Sequence, residues 1–145
     1  MLELFNGVVP TSEVYAKWER VAREKNFGAC CVFTGVVRDE NGIEGLSFDI
    51  YEPLLRQWFA KWQKRAEEKN LIVCMAHSRG DVPNGESSYM SAILSSNRKN
   101  ALELYAEFVE DFKHNAPIWK YDLVNGERVY AKERSYHLKH SGILG

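Results

Sequence analysis

Apolar residues along this chain fall into alternating blocks of helical and strand spacing. Val14, Tyr15, Trp18, Val21 and Ala22 recur at three- and four-residue intervals after Thr11 and Ser12, either of which can cap a helix, until the break at Lys25-Asn26-Phe27-Gly28. Residues 29–38 are β-prone, Asn41-Gly42 is a favoured hairpin turn pair, and 46–51 alternates apolar and polar positions, which together predict a hairpin. Pro53 suits the first turn of a second helix. There Leu55, Trp58, Phe59, Trp62 and Ala66 make one apolar face, opposite Arg56, Lys61, Lys64, Arg65 and Glu68.

In the second half, residues 71–77 read as a buried strand, and Asn84-Gly85 leads into another over 89–94. Ser95, Ser96 and Asn97 offer caps for a helix carrying Ala101, Leu102, Tyr105, Phe108, Val109 and Phe112. Pro117 must end that helix, so Lys113 falls in its last turn. Asn125-Gly126, between 118–124 and 128–132, is the clearest hairpin signal of all. Hairpins mixed with helices, and few crossovers, predict an α+β fold: about three helices on a largely antiparallel sheet. The tail from Glu133 is polar and expected to be mobile. No linker, repeat or low-complexity run divides the 145 residues, so one domain over 1–145 is expected.

Composition narrows the function classes. A net charge of -1 and a pI near 6.4 provide no global field for nucleic acid or an anionic membrane, so any anion site is local. Trp58, Phe59 and Trp62, at helical spacing without a basic stripe, read as core rather than base-stacking residues. Cys30, Cys31 and Cys74 are odd in number and sit in apolar stretches, which suits small core residues of a reduced, cytoplasmic protein. The N-terminal residues lack a leader pattern, and no apolar run approaches the roughly 20 residues that span a bilayer. His77, His114, His137 and His140 lack companion carboxylate or cysteine patterns, so no metal site is expected, although His137 and His140 have helical ligand spacing.

The candidate chemistry lies in cations at the ends of apolar elements: Arg38, Arg98, Lys113 and Lys120. Lys113 and Lys120 flank the turn at Pro117, whose reversal can bring both amines to one pocket, where each lowers the other's proton affinity. Arg98 begins a helix whose first N–H groups favour phosphate, and Gly35 leaves room for close approach beside Arg38. Each has a plainer explanation. A lysine in a last helical turn complements the dipole, a hairpin lysine is solvated, and arginines at strand and helix ends commonly lie on the surface. Read from these residues alone, the chain is a soluble α+β domain with a candidate cationic pocket.

The same positions carry a family resemblance. Gly28-Ala29-Cys30-Cys31-Val32-Phe33-Thr34-Gly35-Val36-Val37-Arg38, Tyr51-Glu52-Pro53, Ser95-Ser96-Asn97-Arg98 and Phe112-Lys113-His114-Asn115-Ala116-Pro117-Ile118-Trp119-Lys120 resemble successive motifs of the molybdopterin synthase large subunit. Their order and spacing match from about residue 10 to about residue 133. The resemblance implies an α/β-hammerhead-like fold and a cytoplasmic sulfurtransferase with no resident cofactor. It also implies a homodimer at the centre of a heterotetramer, with a small ubiquitin-like carrier at each end. The carrier's C-terminal Gly-Gly thiocarboxylate delivers sulfur to precursor Z, a cyclic pyranopterin monophosphate, making the dithiolene of molybdopterin in molybdenum cofactor biosynthesis.

Carried over by position, the resemblance assigns catalysis to Lys113 and Lys120. It assigns substrate contact to these two and to Phe33, Val36, Val37, Arg38, Asn97, Arg98, Tyr121 and Asp122, with Arg98 reaching phosphate from the other protomer. Three positions depart from the family pattern: Asn97 replaces histidine, Val36 replaces lysine and Val109 replaces methionine. Two positive groups are thereby lost. A non-catalytic module that docks a ubiquitin-like tail, or an unrelated phosphate-binding domain, are the competing expectations.

Overall fold

A computed structural model describes residues 1–131 of the chain. Its elements run β1 (Leu2–Asn6), α1 (Thr11–Glu24), β2 (Ala29–Val36), β3 (Gly45–Ile50), α2 (Glu52–Glu68), β4 (Ile72–Pro83), β5 (Ser87–Ser95), α3 (Arg98–Asn115), β6 (Ile118–Val124) and β7 (Glu127–Tyr130). One sheet holds the strands in the order β2-β5-β4-β3-β6-β7, with β1 beside β4. Every pair is antiparallel except β1 with β4. The expected α+β class and largely antiparallel sheet are therefore present, while the tail from Glu133 lies outside the described residues.

The central strands β4 and β5 are buried on both faces, which explains their unbroken apolar runs. Side chains alternate along a strand, so Val73 and Met75 of β4 and Tyr89 and Ile93 of β5 face α2 and α3. Cys74 and Ala76, with Met90, Ala92 and Leu94, face α1 instead. Onto the first face α2 packs Leu55, Phe59, Trp62 and Ala66, and α3 packs Ala101, Leu104 and Phe108. Onto the second, α1 packs Val14, Trp18 and Ala22. Each helix thus spends its apolar stripe on the sheet and leaves its charged side to solvent.

Three local expectations are corrected. Neither Thr11 nor Ser12 caps α1: Pro10 does, without a side-chain bond, its carbonyl accepting the Val14 N–H at 3.0 Å. Nor do β2 and β3 form a hairpin. Asn41 and Gly42 both adopt positive φ, as their turn requires, yet β2 pairs with β5 while β3 pairs with β4 and β6. Turn chemistry is local, whereas pairing follows the faces that can be buried together. The chain leaves β2 through Val37, whose N–H bonds the Glu86 carbonyl and whose carbonyl accepts from Gly85. Finally, β1 was not anticipated. Leu2 and Leu4 pack on the α2–α3 side and Phe5 on the α1 side, with Leu2 opposite Met75.

Strand β4 also runs beyond its expected end at 77. Its first part pairs with β5 and β1, and residues from Gly80 to Pro83 pair with β3. Gly80 sits at φ +74, a conformation that side chains with a Cβ resist, and it marks where the strand passes from one partner set to the other. At the start of β3, a Cβ on Gly45 would overlap the Val82 carbonyl oxygen and meet Pro83 Cα at 3.0 Å. We predict that Gly45→Ala lowers the unfolding free energy by about 1–3 kcal/mol, the usual range for overpacking. Urea denaturation checks it, and an unchanged midpoint would show that β3 and β4 can separate freely.

Candidate active site

Helix α3 stops where Pro117 forbids another turn. Ala116, in extended conformation, donates its N–H to the Phe112 carbonyl at 3.2 Å, and its own carbonyl accepts from Ile118. The chain reverses into β6, where Phe48 of β3 lies opposite Lys120. Lys113 in the last helical turn and Lys120 in the strand then open onto one cleft of about 240 Å³. Leu46, Phe48, His77, Ser88, Tyr89, Phe112, Ala116 and Ile118 line it as well, and among the described residues that lining contains no carboxylate.

Aromatic rings form the walls. Tyr89 and Phe112 stack at 4.0 Å between centroids and 2° between planes, and Phe48 meets the His77 ring edge-on at 4.8 Å. The imidazole Nδ1 lies 2.8 Å from the Ser78 carbonyl oxygen, an acceptor, so Nδ1 carries the proton and Nε2 the lone pair. Burial lowers the His77 pKa to about 4, partly opposed by that bond. The ring is neutral at physiological pH, and the cleft's positive charge comes from its two ammonium groups.

The other residues assigned by resemblance are distributed around this cleft or away from it. Phe33 lies against Tyr89 at 5.6 Å, and buried Val37 packs with Phe48 and Val82, so both support the cleft walls. Val36 is exposed, and Arg38, also exposed, pairs with Glu40 at 3.5 Å. Asp122 shares the Lys120 face of β6 by strand alternation. Tyr121 turns to the opposite face, where the Arg128 guanidinium sits 3.9 Å over its ring.

Asn97 and Arg98 stand at the far end of α3 from Lys113, about 22 Å away at helical rise. One copy of the chain therefore does not bring Arg98 to the cleft. The expected supply of free N–H groups at this helix start is also smaller than the sequence suggests. Asn97 Oδ1 accepts from the Asn100 N–H at 3.1 Å, and Ser95 Oγ accepts from the Asn97 N–H at 3.2 Å.

Sequence reasoning missed Phe48, His77, Ser88, Tyr89 and Phe112 as cleft residues. The available signal was a histidine and a tyrosine within apolar strands, and the register pairs His77 with Tyr89. The cysteines are not candidate nucleophiles: burial raises the Cys30 and Cys31 thiols and pushes Cys74 up to about 12. Among the described residues no cluster of three or more His, Cys, Asp or Glu could hold a metal, and no helix is long and apolar enough to cross a membrane. His137 and His140 lie outside the described residues.

The family described as MoaE protein matches residues 10–115. The chain belongs to the MoaE family. The molybdopterin synthase catalytic subunit of Helicobacter pylori strain 26695 is 56% identical over 144 residues, covering 99% of both chains. That of Dictyostelium discoideum is 31% identical over 71% of this chain and 70% of its own. Among solved structures, the protein-protein complex of subunits 1 and 2 of molybdopterin-converting factor from Helicobacter pylori 26695 contains a chain with TM-score 0.94 and 55% identity, covering 99% of each chain. The molybdopterin synthase of Staphylococcus aureus, at TM-score 0.75 and 24% identity over 88% of this chain and 94% of its own, shares the fold. The resemblance drawn from the motifs and the expectation of an enzyme are met.

His77 links the cleft to stability. Its folded pKa of about 4 lies below the ordinary value of 6.5, so the unfolded chain binds the extra proton between these values. Stability from this group is intact above about pH 6.5 and is lost as pH falls toward 4, by about 3 kcal/mol at one unit per 1.36 kcal/mol. Urea unfolding of wild type and His77→Gln at pH 7 and pH 4 should show the extra loss in wild type alone. Parallel losses in both would refute the assignment.

Proposed function

We propose that the chain acts as the catalytic subunit of a molybdopterin synthase, with the cleft between Lys113 and Lys120 as the reaction centre. The observation that carries this reading is two ammonium groups on one aromatic-walled cleft whose lining, among the described residues, has neither carboxylate nor cysteine. Such a cleft is built to receive anions and cannot supply its own sulfur nucleophile. A partner must bring the sulfur, and a small ubiquitin-like subunit ending in a Gly-Gly thiocarboxylate fits that need. The solved Helicobacter relative is itself a complex of two subunits.

The chemistry follows from the charges. The thiocarboxylate sulfur attacks an oxygen-bearing carbon of precursor Z; the C–S bond forms as that carbon's C–O bond breaks, the departing oxygen takes a proton, and carrier and substrate are left linked through a thioester. Water then adds to the thioester carbonyl, the acyl C–S bond breaks, and the carrier leaves as a carboxylate with the sulfur retained on the pterin. Lys113 stabilises the tetrahedral oxyanion of the second step, and Lys120 passes protons in the first. Arg38 grips substrate, with Phe33, Val36, Val37 and Asp122 framing the site.

Arg98 and Asn97 bind the substrate phosphate from a second copy, because the length of α3 keeps them from the cleft of their own chain. That arrangement calls for a homodimer with a carrier at each end. We place the single-domain enzyme in the cytoplasm, where thiols such as Cys30, Cys31 and Cys74 stay reduced.

Mixing the protein with thiocarboxylated carrier and precursor Z should yield dithiolene product. Lys120→Ala should lower turnover by about 100-fold or more, the usual weight of a general acid–base group. Near-normal turnover in Lys120→Ala would overturn its role. Stable carrier binding without product from wild type would leave a docking module as the better account.

A further inference from the structure

Lys113 is exposed at the end of a long helix, and a reaction that depends on its amine needs that last turn held still. The holding contact comes from the residue two positions earlier. Asp111 Oδ2 accepts the indole N–H of Trp58 at 2.8 Å and that of Trp62 at 2.7 Å, both from α2. Its other oxygen, Oδ1, accepts from Asn115 Nδ2 at 2.6 Å, one turn further along α3. A single carboxylate therefore ties two tryptophans of one helix to the final turn of the next. The indole rings are packed in turn: Trp58 and Trp62 lie 5.5 and 5.3 Å from Phe108. Arg65 covers Trp62 at 4.8 Å and pairs with Glu107. Phe112, between Asp111 and Lys113, is stacked on Tyr89 in the cleft wall.

We propose that Asp111, through its clamp on Trp58 and Trp62, is a positioning residue that sets the direction in which Lys113 enters the reaction cleft. The inference rests on the cleft being the site of sulfur transfer. Asp111 is not among the residues that line the cleft and acts by fixing the turn that carries Phe112 and Lys113. A clamp built from neutral donors on one carboxylate oxygen makes a specific claim. What matters is the acceptor geometry, not the negative charge.

Two substitutions separate these. Asp111→Asn keeps an oxygen able to accept both indoles and removes the charge, with Asn115 turning its amide to match. The double variant Trp58→Phe/Trp62→Phe keeps the charge and most of the ring packing and removes both donors. Turnover with thiocarboxylated carrier and precursor Z should stay near wild type in Asp111→Asn. It should fall by about ten- to a hundredfold in the double variant and in Asp111→Leu, the scale expected for a displaced reacting group. The carrier dissociation constant should be unchanged, so the loss appears in kcat and not in binding.

Position is read independently of activity from the NMR signal of 13C-dimethylated Lys113, assigned with Lys113→Arg. It should coincide in wild type and Asp111→Asn and shift in the other two variants. A merely structural tie would lower the melting temperature while leaving kcat and the Lys113 signal of the folded protein unmoved, which would overturn the proposal. Equal losses in Asp111→Asn and Asp111→Leu would overturn it in favour of charge. If wild type itself gives no product, the sulfur-transfer reading fails, and the Lys113 signal alone then judges the clamp.

Discussion

Strands β4 and β5 carry apolar side chains on both faces, and the burial of those two faces is the constraint from which the rest of the molecule follows. Each such side chain taken from water contributes about 1.5–3 kcal/mol, so neither face can be left open. Helices α2 and α3 cover one and α1 the other. With its middle so enclosed, the sheet offers its cleft toward one end, where β4 passes Gly80 and pairs with β3, which in turn pairs with β6. His77 and Tyr89 stand at that transition, the last opposed pair of β4 and β5.

The cleft combines two features that conflict in most surroundings. Its walls are largely aromatic, poor surroundings for a charge, yet two ammonium groups open onto it. Lys113 eases the conflict by standing exposed in the last turn of α3, and half-buried Lys120 enters from β6, each with an aliphatic stem that suits an apolar lining. A buried imidazole that remains neutral adds a lone pair without adding a third positive charge. The positive charge of the cleft is thus local, in a chain whose net charge is -1.

Much of this was legible along the chain. The three helices follow from apolar residues at helical spacing, and Pro117 sets the end of α3 because its ring and missing N–H allow no further turn. The same proline places Lys113 and Lys120 on opposite sides of one reversal, so their shared cleft was readable from spacing. The Asn41-Gly42 turn was read correctly as a turn and wrongly as a hairpin, because β2 is drawn to β5 and β3 to β4 and β6. Strand β1 escaped notice since five residues at a chain end carry too short a pattern, and its partner β4 is some seventy positions away, as Leu2 opposite Met75 shows.

By itself the sequence determined the element types, the breaks between them, the family motifs and the pairing of two lysines around a proline. Those depend on interactions within a few residues, where backbone sterics and side-chain periodicity act directly. Only the tertiary structure decided which strands are neighbours, which rings line the cleft, and that Arg98 stands a helix-length from Lys113. These depend on contacts between side chains distant in the chain. Phe48, His77, Tyr89 and Phe112 belong to four different elements and become one wall only when both faces of the sheet are buried together.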